Sequence, residues 1–152
     1  MTGKRKPTFM EIALKEARLA AERGDVPVGA VIVRNGKVVA RSGNRVVVMP
    51  DPTGHAEQVV IRKAARALGS ERLSDCDLYV TLEPCTMCAG AISQARLRRV
   101  YYGAADEKGG AIENGARFFG LPTCHHRPEV YTGFHEAECS ALLKEFFRTR
   151  RV

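Results

Sequence analysis

Apolar positions along this chain follow two rhythms, a helical spacing and short unbroken runs, and the two alternate. Residues 8–23 read as a helix: Phe9, Ala13, Ala17 and Ala20 recur at helical spacing, and Thr8-Phe9-Met10-Glu11 forms a capping box. Gly24 and Asp25 end it. Residues 28–33 are nearly all apolar, which suits a buried strand, and Asn35-Gly36 is a hairpin signal leading to a partner strand over 37–40. Residues 45–53 read as a loop, because Pro50 and Pro52 exclude a regular strand. A helix over 55–68 presents Val59, Val60, Ile61, Ala64, Ala65 and Leu68 on an apolar face. Residues 77–82 form a short apolar strand that Glu83-Pro84 breaks, and Pro84 opens a helix running from near Cys85 to Gln94. A strand over 98–103, a turn at Gly109-Gly110, a short helix over 112–118 and a fifth strand over 130–132 follow. Residues 136–150 close the chain as an amphipathic helix with Ala137, Ala141, Leu142, Phe146 and Phe147 as its apolar positions. This alternation predicts a layered α/β domain with a mixed sheet. With no internal repeat and no linker, residues 1–152 are expected to form one domain.

Composition narrows the class. At 152 residues, 45% hydrophobic and 27% charged, the chain can bury a core without disulfide staples and is not wholesale disordered. No apolar run approaches the ~20 residues of a membrane span, and the basic residues 1–7 lead into an amphipathic stretch, so no secretory signal is expected. Five Cys, an odd number with two of them three positions apart, argue for a reducing compartment and metal or redox chemistry rather than a disulfide framework. The cytoplasm is the expected location. A formal net charge of +7 permits a polyanionic partner such as nucleic acid.

The chemistry sits in two fragments. His55-Ala56-Glu57 opens one helix, and Pro84-Cys85-Thr86-Met87-Cys88 follows a strand and opens another. A Cys-x-x-Cys pair on a first helical turn points two sulfurs the same way, and the helix N-terminus favours the thiolate that binds zinc. With His55 as the third ligand, one tetrahedral position stays open, as in a catalytic site. Glu57 reaches past the metal toward a water without being a ligand. A redox pair, or half of a structural zinc site completed by Cys124, His125 and His126, is the competing use of the same cysteines. The joint spacing, His-Ala-Glu and then Pro-Cys-x-x-Cys 30 residues on, favours the catalytic centre.

With these motifs the chain resembles the cytidine-deaminase-like zinc deaminases, and among them the TadA-type tRNA-specific adenosine deaminases. The likeness includes Asp25-Val26-Pro27-Val28-Gly29-Ala30, Gly43-Asn44-Arg45, Asp51-Pro52-Thr53, Tyr79-Val80-Thr81-Leu82-Glu83-Pro84-Cys85, Met87-Cys88-Ala89-Gly90-Ala91-Ile92, Tyr102-Gly103-Ala104, Lys108-Gly109-Gly110 and Phe146-Phe147-Arg148. Gly54, Gln58 and the apolar 46–49 stretch depart from the family pattern. The resemblance implies a three-layer α/β/α fold with a five-stranded mixed sheet, and one zinc per subunit held by His55, Cys85 and Cys88. It implies Glu57 as the proton shuttle for hydrolytic deamination of the wobble adenosine of a tRNA anticodon loop to inosine. It further implies Asn44, Pro27, Val28, Ala56 and Pro84 at the substrate, Asp106, Lys108, Phe146, Phe147, Arg148 and Arg150 toward the RNA, and a homodimer. The sequence leaves two other readings: a deaminase of a free base such as guanine, and a zinc-stabilised nucleic-acid-binding protein without catalysis. An intact Glu57 weakens the last.

Overall fold

The computed structural model describes residues 5–150. Residues 1–4 of the basic start and Arg151 lie outside the described residues. The elements run α1 (Phe9–Glu22), β1 (Gly29–Arg34), β2 (Lys37–Gly43), α2 (Ala56–Leu68), β3 (Cys76–Leu82), α3 (Thr86–Ala95), β4 (Arg99–Ala104), a single 3-10 turn (Phe118–Gly120), β5 (Glu129–Tyr131) and α4 (Glu136–Arg150). The capping box forms as read: Thr8 Oγ1 accepts from the Glu11 amide and the Glu11 carboxylate accepts from the Thr8 amide. Asn35 and Gly36 take positive φ values of 51° and 75°, the backbone a tight hairpin demands.

The five strands are ordered β2-β1-β3-β4-β5, with β1 antiparallel to both β2 and β3, and the β3-β4 and β4-β5 pairs parallel. α1 and α4 cover one face; α2 and α3 cover the other. Both faces are therefore apolar, which is why β1 reads as an unbroken hydrophobic run: Ala30 and Ile32 pack with α2 and α3 residues, Val31 and Val33 with Met10 and Ala13 of α1. On the α1 side, Tyr79, Tyr101 and Tyr131 stand opposite one another across β3, β4 and β5, with neighbouring ring centroids 4.3 and 5.0 Å apart. Among the described residues, no helix is long and apolar enough to cross a membrane.

Three expectations need correction. β2 extends to Gly43 instead of stopping at Ala40, because Ala40, Ser42 and Gly43 turn inward while Lys37 and Val38 face out. Residues 112–118 form turns, not a helix: the amides of Ile112, Glu113 and Asn114 donate to the Glu83 carboxylate, and Gly115 and Arg117 have φ values of 55° and 46°. In α4 the inward stripe is Cys139, Leu142, Leu143 and Phe146; Ala137, Ala141 and Phe147 face outward. The predicted stripe is out of phase because it takes Ala137 as an apolar anchor in place of Cys139.

Candidate metal centre and active site

Two helix starts meet at the carboxyl end of β3. His55 is the N-cap of α2 and Cys85 the N-cap of α3, both extended, and neither side chain caps its own helix. The capping need of α2 is met from outside: Asn44 Oδ1 accepts from the Ala56 amide at 2.8 Å. The His55 ring and the Cys85 sulfur are thus free to face each other. Cys85 Sγ and Cys88 Sγ lie 3.5 and 3.4 Å from His55 Nδ1, and the three donor atoms all fall within 4.8 Å of one another. Tetrahedral zinc with bonds of ~2.0 Å to nitrogen and ~2.3 Å to sulfur requires an N–S edge of about 3.5 Å. One nitrogen and two sulfurs at that spacing fit zinc, and an open fourth position fits a reacting site. Among the described residues no other such group of donors gathers.

The electrostatics favour ligation. Its hydrogen bond with Cys88, followed by that with His55, holds the Cys85 thiol down to about 4. Cys88 shares that bond and is pushed up, while the Cys85 contact raises His55. Glu57, 4% exposed, sits one step along α2, and burial pushes its carboxyl up to about 7. A group with that value both takes and gives a proton near neutrality.

A cavity of about 400 Å³ opens onto this centre, with His55, Glu57 and Cys85 at its base. Val26, Val28, Asn44, Val46 and Val47 line one side; Leu82, Glu83, Asp106 and Gly109 line the other. Of the residues the resemblance places at substrate, Val28 and Asn44 reach this cavity. Pro27, Ala56 and Pro84 are buried and are not among its lining residues. The Val28 amide donates to the Val26 carbonyl at 2.8 Å, a tight turn about Pro27, and Val26 and Val28 on either side of it both line the cavity. Ala56 packs into the core between the two site residues that flank it. The Pro84 carbonyl accepts from the Ala111 amide at 2.9 Å.

Toward the proposed RNA side, Asp106 lines the cavity while its Oδ1 accepts from the amides of Lys108 and Gly109. Lys108 is exposed; with Leu143, Lys144 and Phe147 it lines a groove that shares Leu82 and Asp106 with the cavity. Phe147 is 48% exposed. Phe146 is not available to a base: it is buried, and the Arg150 guanidinium lies 4.0 Å over its ring. Arg148 is exposed and pairs with Glu145. The competing structural site is not assembled, since Cys124 Sγ faces Ser93 and the His126 carbonyl and His126 Nε2 contacts the Leu97 carbonyl. Cys76, Cys124 and Cys139 are buried free thiols.

Two carboxylates of the cavity escape the sequence reading. Asp25, 1% exposed, accepts from the amides of Val26 and Val47 and so ties down the 46–47 wall. Glu83, 2% exposed, does the same for the opposite wall. Burial alone would raise the Glu83 carboxyl, but hydrogen bonds from Asp106 and Asn114 outweigh burial and hold it below the usual carboxylate range. For Glu83 the sequence signal is an acidic residue beside a Pro-Cys motif, at a place that also ends a strand.

A His-Cys-Cys cluster with a buried acid, at the carboxyl end of a strand in a three-layer α/β/α fold, defines the class: a zinc-type hydrolytic deaminase. A model of the cytidine and deoxycytidylate deaminase zinc-binding region matches residues 4–104. The tRNA-specific adenosine deaminase of Agrobacterium fabrum is 62% identical over 144 residues, covering 95% of each chain. A structure from biochemical and structural studies of A-to-I editing by tRNA:A34 deaminases at the wobble position of transfer RNA superposes with a TM-score of 0.88 at 64% identity, over 89% of this chain and 98% of that one. The X-ray structure of guanine deaminase from Bacillus subtilis gives 0.64 at 33% identity, over 94% of this chain and 93% of that one. The chain belongs to the zinc-binding deaminase family and, within it, to the tRNA-specific adenosine deaminases.

Proposed function

We propose that this chain hydrolytically deaminates adenosine to inosine at the wobble position of a tRNA anticodon loop. The observation that carries the chemistry is the buried Glu57 carboxyl beside an open three-donor cluster at the base of a cavity. The likeness to tRNA-specific adenosine deaminases supports the substrate, with much higher identity than to a guanine deaminase. The net charge of +7 and an exposed Phe147 beside Lys144 and Lys108, in a groove next to the cavity, also suit an RNA.

His55, Cys85 and Cys88 would hold one zinc ion per subunit, whose Lewis acidity lowers the pKa of a water toward ~7. Glu57 accepts a proton from the attacking water as its oxygen bonds to ring carbon C6. The same carboxyl delivers that proton to ring nitrogen N1. A second transfer through Glu57 carries the proton of the new C6 hydroxyl to the amino group; the C6–N bond breaks, the C6 oxygen becomes a carbonyl and ammonia leaves. Adenosine and water in, inosine and ammonia out, the carboxyl ends as it began. The Asn44 oxygen is committed to the Ala56 amide, so its amino group is the part that faces the nucleotide. The apolar wall of Val26, Val28, Val46 and Val47 excludes water from the ring. That wall is also the specific feature favouring the second reading, a free base such as guanine.

One domain spanning residues 1–152, a homodimer, and a cytoplasmic location complete the proposal. Its test is Glu57→Ala. The variant is expected to keep its zinc and fold while inosine formation on a tRNA anticodon stem-loop falls by ~10²-fold or more. Near-normal turnover would remove Glu57 from the reaction.

A further inference from the structure

We propose that Glu83 is a positioning residue, a buried anionic clamp that fixes the 106–114 loop as one wall of the reaction cavity and thereby sets how the RNA is held. The proposal rests on the function argued above. Glu83 lies between β3 and the Pro84-Cys85 start of α3, so its own backbone is anchored to the metal-binding segment. Its side chain collects five donors from the loop. Oε1 accepts from the Asp106 amide at 2.9 Å and from Asn114 Nδ2 at 2.8 Å. Oε2 accepts from the amides of Ile112, Glu113 and Asn114 at 2.9, 2.9 and 3.0 Å. Backbone amides converging on one oxygen form an anion-binding nest, occupied here by the chain's own carboxylate. Among the described residues no cation pairs with Glu83, so the charge is met by amides alone.

The loop closes directly on this group. A Cβ on Gly110 would meet Glu83 Cδ at 2.4 Å and the Asp106 carbonyl at 2.5 Å, so only glycine lets the chain pass. Two backbone bonds run beside the clamp: the Glu83 amide donates to the Ala104 carbonyl at 2.8 Å and the Ala111 amide to the Pro84 carbonyl at 2.9 Å. The clamped segment carries Asp106 and Gly109 into the cavity wall and Lys108 to the adjoining groove. Among the described residues of the metal-binding segment only the Pro84 carbonyl is hydrogen-bonded to a loop amide, and none of His55, Cys85, Cys88 and Glu57 is, so loosening the loop disturbs the reacting groups less than the wall. Loss of the clamp therefore shows in substrate binding more than in the chemical step.

The test is Glu83→Gln in the full-length, zinc-loaded protein. An amide in that place turns one oxygen into an NH2 facing N–H donors, and two or three of the five bonds are lost. Zinc content is expected to stay full, and the amides of residues 106 and 112–114 to exchange with solvent faster. KM for an anticodon stem-loop should rise about tenfold, the size of effect expected when charge-assisted hydrogen bonds are lost, with kcat changed much less. Should that variant fail to fold, Asn114→Ala, which removes a single donor from a partly exposed side chain, carries the test with a rise in KM of about threefold at constant kcat. Unchanged exchange and unchanged KM in the folded variants overturn the proposal. So does a fall in kcat at constant KM, or loss of zinc from a folded variant. If the wild-type chain makes no inosine in the stem-loop, the substrate assignment fails, while the exchange measurement still decides whether Glu83 holds the loop.

Discussion

Glu57 and the three donors around it occupy fixed places in the sequence because their geometry is local. A helix N-cap and the residue two positions on lie on one turn, and a Cys-x-x-Cys pair spans one turn, so spacing alone brings each fragment to a point. His55, Cys85 and Cys88 meet with donor atoms within 4.8 Å of one another, and the joint pattern made that meeting legible. Cys85→Ser or Cys88→Ser is expected to remove most bound zinc by elemental analysis, whereas Cys124→Ser, whose sulfur faces Ser93, should leave it full. Full zinc in all three would break the assignment. What spacing does not carry is the direction of a lone acid in a loop. Asp25 and Glu83 turn inward to gather backbone amides, and apart from the Pro-Cys motif beside Glu83 the neighbouring residues do not mark them. Val26 lines the cavity beside Val28 across a tight turn at Pro27, and no period in the sequence marks it.

Among the elements, those with a strong period or an explicit cap were readable and those shaped by distant contacts were not. α1 has both, and Thr8→Ala should lower stability by about 1 kcal/mol, seen as a drop in thermal midpoint, since both halves of its capping box are present. No change on removal would show the box to be idle. The 112–118 segment carries its own turn signal in Asn114-Gly115, with Gly115 at a φ of 55°, and its amides are drawn off by Glu83, whose position some thirty residues earlier in the chain gives no local sign. α4 shows both outcomes at once. Its extent was readable, but two adjacent phenylalanines left its phase ambiguous, and the structure buries Phe146 and exposes Phe147. Phe146→Ala should therefore cost about 3 kcal/mol of stability. Phe147→Ala should leave the thermal midpoint nearly unchanged and weaken binding of an anticodon stem-loop. The reverse pattern would place the RNA-facing side of the helix elsewhere.

At the scale of the molecule, the sheet order decides where chemistry can happen. β3 is antiparallel to β1 on one side and parallel to β4 on the other. Its carboxyl end is a switch point, and two helix N-termini aim there, the usual place for a ligand in an open α/β sheet. A layered fold with a mixed sheet followed from the alternation of elements. The family resemblance added the count of five strands, but beyond the Asn35-Gly36 hairpin the strand order was not legible, since β-pairing partners are set by long-range packing. The net charge of +7 suits a polyanion, while the groove that ends at Phe147 balances Lys108 and Lys144 against Asp106 and Glu107. The apolar cavity wall, taken alone, suits any flat heterocycle. A parallel assay of the zinc-loaded wild-type chain on tRNA and on guanine, reading inosine in the anticodon loop and ammonia released, separates the two. Inosine at the wobble position with little or no ammonia from guanine is the expected result; robust deamination of guanine with no inosine in tRNA would contradict the assignment of the substrate.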